Sequence, residues 1–125
     1  MTHSILVADD EPNIALSLKF LMEQAGFSVQ TASNGQEALD AVARSAPDLI
    51  LLDINMPRVN GYQVCEAVRA NPEWKHVRIV MLTAKGRDIE REKGLALGAD
   101  DYITKPFATQ EVVQKVRSLI GVDTT

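Results

Sequence analysis

The sequence predicts an α/β protein: a doubly wound, five-stranded parallel sheet of order 2-1-3-4-5 with helices on both faces. Three observations lead to this. Residues 5–8, 49–52 and 79–82 are short aliphatic runs, apolar at consecutive positions, as in strands covered on both faces. Helical patterns fill the gaps between them, so that strand and helix alternate five times with short connections, which implies right-handed crossovers. The second strand is the alternating one, and an alternating strand belongs at an edge, which favours 2-1-3-4-5 over 3-2-1-4-5.

The elements follow in order. The first strand, Ile5-Leu6-Val7-Ala8, stops at Asp9-Asp10-Glu11-Pro12. A helix over 12–25 carries Ile14, Leu18, Leu21 and Met22 on one face, and Gly26 ends it. Residues 27–32 alternate as a half-exposed strand. Asn34-Gly35 leads into a helix over 36–45 with Ala38, Leu39 and Val42 inward. The third strand, 49–52, precedes Asp53. A helix over 61–70 uses Val64 and Val68 and ends at Asn71-Pro72. The fourth strand, 79–82, precedes Thr83. A helix over 87–97 is crowded with charge, has only Ile89, Leu95 and Leu97 as large apolar residues, and contains Gly94. A glycine inside a helix costs about 1 kcal/mol relative to alanine, so this is the helix expected to be held least firmly. A weaker strand at 102–104 precedes Lys105, and Thr109 is expected to cap a last helix built on Val112, Val113, Val116, Leu119 and Ile120.

At 125 residues the chain reads as one domain, residues 1–125, with no linker or low-complexity tract. Its apolar and charged fractions, 46% and 24%, are those of an ordinary globular protein. A net charge of -4 argues against nucleic-acid binding by this domain alone, which needs a basic face. Cys65 is the single cysteine and cannot form an internal disulfide, pointing to the reducing cytoplasm. No apolar run approaches the roughly 20 residues that span a bilayer, and Met1-Thr2-His3-Ser4 does not read as a signal peptide, so no membrane association is expected.

The polar residues then gather at one edge. Asp9, Asp10, Asp53, Thr83 and Lys105 all stand at carboxyl ends of parallel strands, where such sheets bind ligands at the point of strand-order reversal. With this strand order the first and third strands are neighbours about 4.8 Å apart, so the three aspartates can converge. Two like charges 4 Å apart repel by about 4 kcal/mol at an effective dielectric near 20, and only Lys105 offsets them. A hard divalent cation, Mg²⁺ above all, is therefore expected, since it takes few carboxylates and leaves room for a phosphoryl group. A carboxylate beside that ion, a lysine and a hydroxyl can itself accept a phosphoryl group. Singly, each residue has a plainer reading. Asp9-Asp10-Glu11 can cap the helix at Pro12, Asp53 can be a turn residue, and Lys105-Pro106 can be a simple break. Those readings leave the shared edge unexplained. Cys65 and Trp74 read as packing residues, and His3 and His76 have no paired ligands nearby.

The stretches "ILVADDEP" at 5–12, "LILLDINMPRVNGYQ" at 49–63, "IVMLTA" at 79–84 and "GADDYITKPF" at 98–107, in that order and spacing, resemble the receiver domain of two-component response regulators, single-domain type. The resemblance implies a flavodoxin-like (βα)5 fold and a cytoplasmic phosphorelay switch. Asp53 would be the phosphoacceptor. Asp10 would be a direct Mg²⁺ ligand, Mn²⁺ being an alternative ion, with Asp9 acting largely through water and Asn55 through its backbone carbonyl. Lys105 would pair with Asp53 and then with the phosphoryl oxygens, Thr83 would offer its hydroxyl, and Tyr102 would be the aromatic switch. The Lys105-Pro106 bond would be cis. Asn55 and Lys85 would occupy positions that tune dephosphorylation. The donor would be a sensor histidine kinase or a histidine phosphotransfer protein, and the output a protein target contacted through the surface of the fourth helix, fifth strand and fifth helix. The domain would catalyse only its own phosphotransfer and autodephosphorylation, so it is not an enzyme in the ordinary sense. Asn60 and Arg78 depart from the family's frequent Asp and Pro.

Three rivals fit less well. A Mg²⁺-dependent phosphohydrolase needs a second acid where Asn55 stands, and a substrate-covering domain for which this chain has no room. A receiver-like interaction module that is never phosphorylated leaves the Asp10, Asp53, Thr83 and Lys105 set without a purpose. An FMN binder needs a backbone phosphate cradle where Asp9 and Asp10 would repel. With only residues 121–125 beyond the last helix, the expectation is a stand-alone receiver or one cut from a longer regulator, the length favouring the former.

Overall fold

In the computed structural model, which describes residues 2–84 and 86–121, strand and helix alternate throughout. The elements are β1 Ser4–Ala8, α1 Pro12–Gln24, β2 Ser28–Ala32, α2 Gly35–Arg44, β3 Leu49–Asp53, α3 Gly61–Ala70, a 3-10 turn Pro72–Trp74, β4 Arg78–Ala84, α4 Asp88–Ala96, β5 Asp101–Lys105 and α5 Thr109–Ile120. The strands pair in parallel in the order β2-β1-β3-β4-β5, as predicted.

The continuous aliphatic runs are explained by the two cores they feed. Successive strand residues point to opposite faces. Leu6, Ala8, Ile50, Leu52, Ile79 and Met81 meet Ala38, Val42, Val64 and Val68 of α2 and α3 on one face. Ile5, Val7, Leu49, Leu51, Val80 and Leu82 meet Leu18 and Met22 of α1 and Val112 and Val116 of α5 on the other. β3, at the centre, is buried along its whole length, whereas β2 exposes Ser28, Gln30 and Thr31 as an edge strand should. Cys65 is buried and Trp74 packs partly buried against the first core, so both are packing residues. Among the described residues no helix is long and apolar enough to cross a membrane.

Expectations for strand ends and helix caps are corrected. β4 runs Arg78–Ala84, so Thr83 lies within the strand rather than after it, because its pairing with β5 continues to Ala84↔Lys105. Asp53 and Lys105 are likewise the last residues of their strands. α5 is capped by Ala108, whose backbone is extended, and Thr109 is already helical and cannot cap the helix it begins. α1 starts at Pro12, which has no N–H to satisfy; its cap residue, Glu11, makes no side-chain capping bond. α4 buries Glu90 and Gly94 while Ile89 and Leu95 are exposed. Gly94 suits that face because a Cβ there would stand only 3.0 Å from Met81 Cγ.

Candidate functional site

β1 and β3 are neighbours with Ala8 opposite Leu52, so the residues that follow, Asp9 and Asp53, emerge side by side. Asp9 is fixed by its backbone, whose N–H donates to the Ala32 carbonyl at 3.0 Å, and its Oδ1 accepts the Glu11 N–H at 2.9 Å. Part of the predicted capping role of these acids thus survives as a bond just outside α1. Asp9 and Asp53 are buried, while Asp10 is exposed. Oxygens of Asp9, Asp10 and Asp53 all lie within 4.8 Å of one another.

Asp53 is held by the β3–α3 connection. The Gly61 N–H donates to the Ile54 carbonyl at 2.8 Å, folding the loop back on itself. Only glycine fits there, since a Cβ would lie 2.3 Å from the Asp53 carbonyl oxygen. The loop includes Arg58 at φ 69, in the left-handed region that a non-glycine residue occupies at a cost of roughly 1 kcal/mol. Asn60 then caps α3 reciprocally with Gln63.

Lys105 arrives from β5. Its Nζ lies 3.0 Å from Asp9 Oδ2, 3.3 Å from Glu11 Oε1 and 3.4 Å from Asp53 Oδ1. Burial works to lower the pKa of this ammonium, but the hydrogen bond to Asp9 and the charges of Asp53 and Asp9 outweigh it and raise the value. Asp53 is pushed up to about 7, first by desolvation and then by the charge of Asp9, with Lys105 offsetting only part. Burial is the larger cause of that rise, and the Asp9 charge adds a repulsion that a cation would relieve. The all-oxygen donor set, with Asp10 on the open side, fits Mg²⁺.

A cleft of about 380 Å³ opens over these groups, lined among others by Asp10, Asp53, Asn55, Ala84, Glu90 and Lys105. Thr83 is buried, and its Oγ1 has no hydrogen-bond partner among the described residues. Tyr102 is not part of this cleft. It lies two residues before Thr104, the β5 partner of Thr83, and so on the same sheet face. Arg91, 4.8 Å from the centroid, and Lys115, at 5.3 Å, both lie over its ring, and its hydroxyl accepts from Arg91 Nη1 at 3.2 Å. The Lys105-Pro106 peptide is cis. Lys85 lies outside the described residues. Glu90 is the cleft residue that sequence reasoning did not single out, although two non-apolar residues four apart, Glu90 and Gly94, were a signal of the inward face.

Comparison with known proteins agrees with this geometry. Residues 5–117 match the family model described as the response regulator receiver domain. The chain is 42% identical over 120 residues to the alkaline phosphatase synthesis transcriptional regulatory protein PhoP of Bacillus subtilis (strain 168), covering 96% of this chain and 49% of that one. It is 40% identical over 120 residues to the phosphate regulon transcriptional regulatory protein PhoB of Rhizobium meliloti (strain 1021), covering 96% and 53%. The chain thus spans about half the length of the curated relatives it matches. Among solved structures, the receiver domain of a signal transduction histidine kinase from Syntrophus aciditrophicus superposes with a TM-score of 0.89 at 32% identity, covering 99% of this chain and 95% of that one. With its sheet order, its cleft and these likenesses agreeing, the chain belongs to the receiver-domain family of two-component response regulators.

Proposed function

We propose that residues 1–125 act as one receiver domain, a phosphorylation-dependent switch with Asp53 as the acceptor. The observation that carries this is the Asp53 carboxylate in the cleft with the Lys105 ammonium 3.4 Å away; the buried Thr83 hydroxyl, without a partner among the described residues and placed in β4 between the cleft residues Leu82 and Ala84, supports it. An Asp53 oxygen attacks the phosphorus of a phosphohistidine on a sensor kinase or phosphotransfer protein. The P–N bond breaks, the electron pair leaves on the imidazole nitrogen, and an acyl phosphate forms on Asp53. Lys105, already shared among Asp9, Glu11 and Asp53, turns to the phosphoryl oxygens, and Thr83 donates its hydroxyl to another. Mg²⁺, or Mn²⁺ in its place, would be held by Asp9, Asp10, Asp53 and the Asn55 backbone carbonyl, and would neutralise charge on the transferring group.

Movement of Thr83 draws Tyr102 inward on the same sheet face, away from Arg91 and Lys115, which lie on α4 and α5. The α4–β5–α5 surface changes, and a downstream protein target reads the change. Autodephosphorylation resets the switch, with Asn55 and Lys85 tuning its rate. The unpaired Cys65 suits the cytoplasm, where such relays operate. The test is mass spectrometry after incubation with acetyl phosphate and Mg²⁺. A base-labile phosphoryl group mapped to Asp53 and absent from Asp53→Asn is expected; retention of that group by Asp53→Asn would overturn the assignment.

A further inference from the structure

Four polar or charged side chains are buried among the described residues: Asp9, Asp53, Thr83 and Glu90. The first three belong to the acceptor chemistry. Glu90 does not, yet it lines the same cleft at 8% exposure. A buried glutamate is rare unless well paired, and this one is paired poorly. Its Oε1 accepts the Ala84 N–H at 3.5 Å, and its Oε2 lies 3.5 Å from Nη2 of Arg87, a largely exposed side chain.

We propose that Glu90 is a brake on phosphorylation of this cleft, holding the Ala84 N–H and adding a negative charge to the wall that an incoming phosphoryl group must face. The proposal rests on the reading of Asp53 as acceptor and names how that site is restrained. Ala84 directly follows Thr83 in β4 and lines the cleft. A phosphoryl oxygen that recruits the Thr83 hydroxyl therefore meets the next backbone donor already engaged by Glu90. The phosphoryl group also brings a charge of about -1.5 to -2 into a cleft whose acids are Asp10, Glu11, Asp53 and Glu90 and whose cation is Lys105. Asp9, behind them, also holds that lysine. Of these acids Glu90 is the one on a helix, in the first turn of α4, and it can leave by turning that helix. The Tyr62 hydroxyl donates to the Glu90 carbonyl at 3.4 Å, so displacement of Glu90 also disturbs the contact between α3 and α4.

The experiment compares wild type, Glu90→Gln and Glu90→Asp by intact-mass time courses with acetyl phosphate and Mg²⁺, and by beryllofluoride affinity read from thermal shifts. E90Q keeps the shape and a hydrogen-bond acceptor but loses the charge. It should gain roughly fivefold or more in initial phosphorylation rate and in beryllofluoride affinity, the effect of removing one like charge across a partly solvated cleft. E90D, which retains the charge, should stay near wild type. Equal or slower phosphorylation of E90Q, or an E90Q that no longer folds, would overturn the brake. Wild type that acquires no phosphoryl group would instead overturn the acceptor reading itself.

Discussion

Lys105 lies closer to Asp9 than to Asp53: its Nζ is 3.0 Å from Asp9 Oδ2 and 3.4 Å from Asp53 Oδ1. The lysine is thus a structural counter-ion to a buried carboxylate as well as a partner of Asp53. Lys105→Met should destabilise the metal-free protein by about 3 kcal/mol, the cost of leaving a buried charge uncompensated. Urea denaturation measures this. Asp9→Asn in the Lys105→Met background should recover most of the loss, and a double-mutant cycle showing no coupling would sink the pairing.

Asp53 should give the protein a characteristic pH response. Its folded pKa is about 7, raised first by desolvation and then by Asp9, against an unperturbed 3.8. Between those values the folded state holds a proton that the unfolded chain releases, so this group's contribution to stability is present at the acid end and lost as pH rises through about 7. The difference in urea midpoint between wild type and Asp53→Asn should therefore shift in favour of the variant across that window. Mg²⁺ must displace the same proton, so its affinity should fall by up to about tenfold per unit below pH 7, as titrations at several pH values would reveal.

Thr83→Val separates the resting state from the modified one. The Thr83 hydroxyl is buried without a partner among the described residues, and an unsatisfied buried hydroxyl costs about 1–3 kcal/mol. The isosteric valine removes it, so thermal melts should show the unmodified protein unchanged or more stable by about 1 kcal/mol. The same variant should accumulate less phosphorylated protein from acetyl phosphate. Thr83→Ser should restore it.

Gly61→Ala should couple a loss of stability to a loss of reactivity. The added Cβ would stand 2.3 Å from the Asp53 carbonyl oxygen and 2.8 Å from Ile54 Cα, both backbone atoms that cannot move without carrying Asp53 with them. Overpacking of this kind costs about 1–3 kcal/mol. Gly26→Ala is the contrast: φ is +98 but nothing lies within 4 Å of the new atom. It should cost stability while leaving the phosphorylation rate per folded molecule unchanged.

Strands β1, β3 and β4 were legible in the sequence because burial on both faces removes polar residues from the run itself. Their exact ends were less so. Thr83 pairs on within β4 since the backbone ladder does not depend on side-chain polarity, and a threonine carries no mark of whether it sits inside a strand or just beyond it. The convergence of Asp9, Asp10 and Asp53 followed from strand order alone, and the structure brings their oxygens together. Glu90 escaped notice because a charge within a charged helical run reads as a solvated one. Its burial depends on how α4 packs back on β4, where Gly94 lets the helix approach Met81, and the charge pattern of the run does not show that face. Tyr102 was named only through the resemblance. Its setting against Arg91 and Lys115 depends on two helices whose approach no local pattern encodes.

The strand order has one more consequence. Asp9, Asp10 and Asp53 come from the inner pair β1 and β3, whereas Lys105 ends β5, which is hydrogen-bonded to β4 alone. Such a margin is where a sheet unzips first, as slow amide exchange would record it. Any occupant that ties Lys105 to the inner aspartates rivets this margin to the middle of the sheet. Filling the cleft should therefore slow deuterium uptake along β5 more than along β2, the opposite margin, which sends no residue of the lysine–carboxylate cluster.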